Sequence, residues 1–220
     1  MARATGVDVI TGAGLDEAVA GADCIVDAAT GPSPDKEEAA AFFTTASRNL
    51  HAAGERAGAR RMVVLSIIGT DRFTEGYNAA KAIHEQVAQA GPVPTHIVRA
   101  AQFHEFVPQL VQWGTQGEVA YVQEMRTQLV AARAVAEAVA AVASGPAPAS
   151  PVSEVAGPRE ESLVGAATLL ATQRELGVRI EGVSDPTDPD RELLESGALL
   201  PGPRATLAGP TFEQWLQSGG

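Results

Sequence analysis

The chain has 220 residues, 45% of them hydrophobic, enough for one large domain or for a domain with a small lobe. With 27 acidic residues against 16 Lys and Arg, its net charge is −11; such a surface repels phosphate backbones, and Arg60-Arg61 is too little to offset it, so nucleic acid is excluded as a partner. Cys24 is the sole cysteine, and the four histidines lack metal-ligand spacing, so neither a disulfide framework nor a metal site is expected.

Met1-Ala2-Arg3 opens into mixed sequence rather than an apolar leader. The alanine-rich run from Leu129 to Ala143 carries Arg133 and Glu137 and is too short to span a bilayer, so a soluble, cytoplasmic protein with no membrane partner is expected. Val7 to Ile10 reads as a short strand, with Thr11-Gly12-Ala13-Gly14 as its turn. A short helix from Leu15 to Ala22 and a covered strand, Cys24 to Ala28, follow, with Cys24 as a small buried hydrophobe. Thr30-Gly31-Pro32-Ser33-Pro34 breaks the strand.

Asp35 to Ala57 is the longest predicted helix, capped by Asp35, with Glu37 and Glu38 at its positive end. Phe42, Phe43, Ala46, Leu50 and Ala53 form its inward stripe, and Gly54 and Gly58 mark a frayed end. Strand 62–66, a helix to about Ala90 and strand 95–100 come next. Strands and helices alternating through short links imply a parallel α/β sheet with right-handed crossovers. After Ala100 the pattern is less regular: helices at Phe103–Trp113, Leu129–Ala143 and Glu160–Leu176, strands at Val119–Val122, Val152–Ala156 and Val178–Val183, and one helical turn at Phe212–Leu216. The predicted fold class is α/β: a core over 1–100, and a small C-terminal α+β lobe over 101–220 that returns a helix and strand to the core.

The chemistry concentrates in Met62 to Lys81. Ser66 ends a buried strand, and Tyr77 and Lys81 stand four apart at the opening of a helix, on one face. An ammonium beside a phenol favours the ionised phenol, so the Tyr77 pKa is expected to fall. Such a tyrosine moves a proton near neutral pH while a serine hydroxyl holds a carbonyl oxygen. His84, one turn on, reads either as facing the same cleft or, more simply, as a solvated helix position; His51 and His96 read as surface or satisfied polar positions.

Ser66, Tyr77 and Lys81 in this setting resemble the short-chain dehydrogenase/reductase family in its atypical, NmrA-like branch. The resemblance also takes in Arg48-Asn49-Leu50 with Ala52-Ala53 and Ala57-Gly58, Ile97-Val98-Arg99-Ala100 with Phe103, Gln128-Leu129-Val130-Ala131, and Val155-Ala156-Gly157-Pro158, across most of residues 7 to 160. It implies a Rossmann-type parallel sheet that binds NADP or NAD, NADP slightly favoured. It implies that Tyr77 is the proton donor, that Lys81 holds the nicotinamide ribose, and that Ser66 orients a substrate carbonyl. Ala29, Thr30, Ala100 and Phe103, past strand carboxyl ends, would line the cofactor. Gln102, His104 and Phe106 would line the pocket of a small-molecule substrate.

Family members open with a strand, a glycine-rich turn and a helix, and nothing of that kind precedes Val7. Val7 to Ile10 then corresponds to the family's third strand, and the Rossmann-type sheet is truncated at the N-terminus, through a shortened reading frame or through loss of cofactor binding. The Cys24–Ala28 strand is left with a bare apolar edge, expected to pair with a second copy, as a homodimer, or with Val7–Ile10. The activity implied is that of an NAD(P)-dependent oxidoreductase acting on a carbonyl or similar small molecule; the alternative is a non-catalytic NmrA-like module that senses dinucleotide or binds a protein.

Overall fold

A computed structural model describes residues 6–219. Met1-Ala2-Arg3, read above as lacking a leader, lies outside them. In chain order the elements are α1 (Leu15–Ala18), β1 (Cys24–Asp27), α2 (Lys36–Ala57), β2 (Arg61–Ile67), α3 (Gly76–Ala90), β3 (Thr95–Ala100), α4 (Val107–Gly114), β4 (Thr115–Gln116), β5 (Val119–Gln123), β6 (Arg126–Thr127), α5 (Ala132–Ser144), β7 (Val152–Ala156), β8 (Glu161–Ser162), α6 (Leu163–Gln173), β9 (Arg179–Val183), α7 (Arg191–Ser196), β10 (Thr206–Leu207) and α8 (Phe212–Gln217). The main sheet is five-stranded and parallel, in the order β1-β2-β3-β7-β10. This is the expected α/β, Rossmann-type architecture. No helix among the described residues is long and apolar enough to cross a membrane.

The chain divides into two compact units. The first comprises Met1–Ser66, Phe73–Arg99 and Val139–Ser153. Its centre is β2 and β3: Met62, Val63, Val64, Ile97 and Val98 are fully buried, as strands covered on both faces of a parallel sheet must be. Asp35 caps α2 as expected, its carboxylate accepting from the Glu38 N–H at 2.9 Å. The end of α2 is not frayed. Gly58 closes it in the left-handed conformation, φ 73°, its N–H reaching the Gly54 and Glu55 carbonyls. Gly54 is buried, and a Cβ there would lie 2.7 Å from Ile25 Cδ1, so a larger residue would have to push that side-chain tip aside.

Val7–Ile10 is not a strand, and β1 ends the sheet. The Asp8 carboxylate accepts from the Ile10 N–H at 2.8 Å, Asp8 and Gly12 close further turn bonds, and Asn49 of α2 donates to the Val9 and Ile10 carbonyls at 2.9 Å each. A short side chain that satisfies neighbouring amides makes a turn in place of a ladder. The predicted pairing of β1 with this segment is therefore not made, and no strand among the described residues pairs with the other edge of β1. Val26 on that strand is 46% exposed.

The second unit comprises Ile67–Arg72, Ala100–Ala138 and Glu154–Gly220. Val107, Val111, Ala120, Val122, Leu129, Leu163, Leu170, Phe212 and Leu216 form its core. The small β4-β5-β9 sheet and the β6-β8 pair belong to it. The expected helix over Phe103–Trp113 is a 3-10 turn at His104–Phe106 followed by α4, with Pro108 in its first turn, where a missing N–H costs nothing. β4, β6, β8 and β10 were not foreseen; each is two residues long and leaves no periodicity to read.

Candidate active site

In the first unit the site begins at the end of β2. Ser66 is 2% exposed, and its Oγ has no hydrogen-bond partner among the described residues. The chain re-enters this unit at Phe73 and starts α3 through Gly76, whose φ of 63° favours a residue without a Cβ. Lys36 of α2 pins that entry, its Nζ donating to the Thr74 carbonyl at 2.7 Å and pairing with Glu75 at 3.3 Å. Tyr77 follows in the first turn. Its ring sits edge-on to Phe43 at 5.8 Å, and its hydroxyl oxygen accepts from the Gly31 N–H at 3.2 Å.

Burial pushes the Tyr77 phenol above its ordinary value; the Gly31 N–H works against this and the Asp27 charge adds to it. The expectation of a lowered phenol is overturned. The reason is where the ammonium goes. Lys81 is 3% exposed, and its Nζ donates to the Leu65 carbonyl at 2.8 Å, meets His84 Nδ1 at 2.9 Å and lies 4.5 Å from the Phe43 ring centroid. His84 Nε2 in turn meets Asp27 Oδ2 at 3.0 Å, and Asp27 Oδ1 accepts from the Ala29 N–H at 3.0 Å. The His84 ring stacks on Phe43 with centroids 4.4 Å apart, nearly parallel at 10°.

His84 is therefore fully buried, not solvated. The signal was its spacing: residues 77, 81 and 84 are separated by four and three, so they share one helix face. Asp27 gave no sign in the sequence; it reads as the polar end of a strand. Burial alone would raise its carboxyl, but the bond from His84, the bond from Ala29 and nearby positive charge together hold it low, so it stays ionised. Burial lowers His84, outweighing Asp27, and keeps the imidazole neutral. His51 is a satisfied polar position as expected, its Nε2 meeting the Ala88 carbonyl at 2.8 Å; His96 Nε2 meets Ser153 Oγ at 2.8 Å.

Burial lowers Lys81 from 10.5 to about 8, against the pull of Asp27 and Glu85. Between those two values the unfolded chain binds the extra proton, so this group's contribution to stability rises with pH across that window. Relative to Lys81→Met, the wild type is expected to gain up to about 3 kcal/mol between pH 8 and pH 10.5. Urea denaturation of both proteins at several pH values measures this, and a constant gap would mean that the ammonium is not desolvated.

Of the expected cofactor-lining residues of this unit, Ala29 is half-buried with its N–H on Asp27, and Thr30 is exposed on the same loop. In the second unit Ala100 is buried, and its carbonyl accepts from the Ile68 N–H at 3.0 Å. Gln102 Oε1 accepts from Thr127 Oγ1 at 2.6 Å, and Phe103 bridges to Val130. His104 is fully buried beside Phe212 and Trp215, with Nε2 3.1 Å from the Pro210 carbonyl and Nδ1 without a partner among the described residues. Phe106, by contrast, is 39% exposed and edge-on to Trp113. Of the three expected substrate-pocket residues, it is exposed, Gln102 is half-buried and His104 is buried. Among the described residues no cluster of His, Cys, Asp or Glu is arranged to hold a metal ion.

No protein-family model matches the chain, and no curated protein matches it. Its fold is shared with solved structures. A nucleoside-diphosphate-sugar epimerase from Staphylococcus aureus is 16% identical, with a TM-score of 0.67, over 96% of this chain and 82% of that one. An NADPH-dependent quinone oxidoreductase from Escherichia coli, complexed with NADPH, is 17% identical, with a TM-score of 0.68, over 96% and 81%. dTDP-4-dehydrorhamnose reductase from Bacillus anthracis, in complex with NADP, is 16% identical, with a TM-score of 0.67, over 97% and 86%. At such identities the likeness is one of fold.

Proposed function

We propose that the chain is an NAD(P)-dependent oxidoreductase of the short-chain dehydrogenase type, NmrA-like, that reduces a carbonyl or similar group on a small molecule. The observation that carries this is Ser66: a buried hydroxyl with no hydrogen-bond partner among the described residues, at the end of the strand that leads to Tyr77 and Lys81. An orphaned buried hydroxyl costs free energy unless something polar meets it. Solved proteins of the same fold hold NADP or NADPH.

The residues present fit the nicotinamide end of such a cofactor: Ser66, Tyr77 and Lys81 would face the ring and its ribose, with Ala29 and Thr30 on the loop beside them. The pyrophosphate end is less well served. α2, the long helix that follows β1, opens with Asp35, Glu37 and Glu38, which repel phosphate where a helix N-terminus would otherwise attract it. When bound, the nicotinamide supplies a hydride. Ser66 orients the carbonyl oxygen; the Tyr77 O–H bond breaks and its proton passes to that oxygen; the Gly31 N–H, already on the Tyr77 oxygen, stabilises the phenolate left behind. A phenol pushed up by burial keeps its proton through neutral pH, which suits the direction of reduction.

A second reading, a non-catalytic module that binds dinucleotide or a partner protein, is favoured by one observation: the Lys81 Nζ is already engaged by Leu65 and His84. Calorimetric titration with NADPH and NADH, followed by turnover with a panel of carbonyl compounds, separates the two. Binding with oxidation of the reduced cofactor is the expected result. Binding without turnover on any carbonyl would leave the second reading, and no binding of either nucleotide would remove both dinucleotide readings.

A further inference from the structure

Asp27, His84 and Lys81 form a continuous buried polar chain that the reading above does not use in full. We propose that Asp27 and His84 are positioning residues for Lys81: Asp27 holds His84 as the Nε2–H tautomer, and the bare Nδ1 of His84 holds the Lys81 ammonium. The inference rests on the reading of Lys81 as a site residue.

The distances leave one consistent assignment of protons. Asp27 Oδ2 lies 3.0 Å from His84 Nε2, and Lys81 Nζ lies 2.9 Å from His84 Nδ1. A carboxylate only accepts and an ammonium only donates. With the proton on Nε2, both contacts are hydrogen bonds. With the proton on Nδ1, an N–H faces the ammonium and a lone pair faces the carboxylate, so both contacts become repulsive. A doubly protonated ring would place two cations 2.9 Å apart among residues no more than 3% exposed. The favoured state has one cation, one anion and a neutral ring between them, which is how a buried site carries charge at least cost.

Each element packed around the group agrees with this assignment. β1 supplies Asp27, whose second oxygen is taken by the Ala29 N–H. α2 supplies Phe43, stacked on the imidazole and in contact with the ammonium, and His51, on which the Asp27 charge also acts. α3 supplies Tyr77 and Glu85, and Glu85 is bound through both oxygens by Arg99 of β3. The Leu65 carbonyl of β2 takes another Lys81 N–H. Lys81 is thus fixed from β1 and β2 before any ligand arrives, and Asp27, four residues ahead of Gly31, links that anchor to the loop that touches Tyr77.

The first test needs no substitution. Nitrogen-15 spectra of the histidines in the full chain are expected to show His84 neutral and Nε2-protonated at pH 7; an Nδ1-protonated or doubly protonated His84 would overturn the proposal. The second is Asp27→Asn, whose side-chain N–H faces Nε2 and forces the other tautomer. The Lys81 ammonium midpoint, read from its own Nζ resonance, is expected to fall at least about tenfold in proton affinity, one pH unit. Any carbonyl turnover should lose its alkaline limb by the same amount, in kcat rather than KM. An unmoved midpoint in a folded Asp27→Asn protein would overturn the proposal. If the wild type turns over no carbonyl while the His84 and Lys81 resonances behave as stated, the reductase reading fails and the positioning pair stands. Turnover with the wrong tautomer would mean the reverse.

Discussion

On the proposed reductase reading, Tyr77→Phe is expected to lower NAD(P)H-dependent carbonyl reduction by about 10²- to 10⁴-fold, the range set by loss of a positioned proton donor. The change removes one oxygen and leaves the ring, so the edge-on contact with Phe43 at 5.8 Å survives. What is lost besides the proton is the acceptor for the Gly31 N–H, a contact of 3.2 Å on a half-exposed loop, worth about 1 kcal/mol. Stability and nucleotide affinity should therefore change little while kcat collapses. Parallel calorimetry and stopped-flow absorbance on the two proteins check this. A variant that keeps its turnover would place the proton donor elsewhere and remove Tyr77 from the chemistry.

The second large effect is expected at Phe43, where stability and site geometry meet. Phe43 is fully buried on α2 and touches four groups at once: the His84 ring face-to-face at 4.4 Å, Phe42 and Tyr77 edge-on, and the Lys81 ammonium 4.5 Å from its centroid. Phe43→Ala removes that ring from a site that the 22-residue α2 and the strands cannot easily collapse to fill. The expected cost is about 3–5 kcal/mol, a large fraction of the stability of an ordinary domain. It should also admit water to His84 and Lys81, so the Lys81 ammonium is expected to titrate closer to its ordinary value in whatever fraction stays folded. Urea denaturation gives the first quantity and the Nζ resonance the second. A cost below about 1 kcal/mol would mean that Phe43 is not the packing centre of the site.

Much of the candidate site was legible because it rests on spacing. Tyr77 and Lys81 share a helix face at any register of α3, and a run such as Met62-Val63-Val64-Leu65 ending in Ser66 reads as a covered strand whatever lies around it. Asp35 was legible as a cap for the same reason: its bond to Glu38 is local. Val7–Ile10 misled because an apolar alternation was outweighed by one Asp side chain that closes a turn on its own amides, a competition decided by geometry that composition does not record.

By itself, then, the sequence determined the α/β alternation, the limits of β2, β3 and β7 to within a residue, and the placement of Tyr77 and Lys81 on one helix face after a strand that carries Ser66 near its end, because periodicity and capping act over a few residues. The tertiary structure alone decided where the Lys81 ammonium points, that the Tyr77 phenol is raised and not lowered, and that Asp27 and His84, 57 positions apart, meet at 3.0 Å. The physical reason is that charge and burial are settled by which side chains the sheet and its helices enclose together. Asp27, Phe43, Lys81 and His84 come from β1, α2 and α3, and only their packing against β2 makes the site dry enough for a single proton's position on His84 to matter.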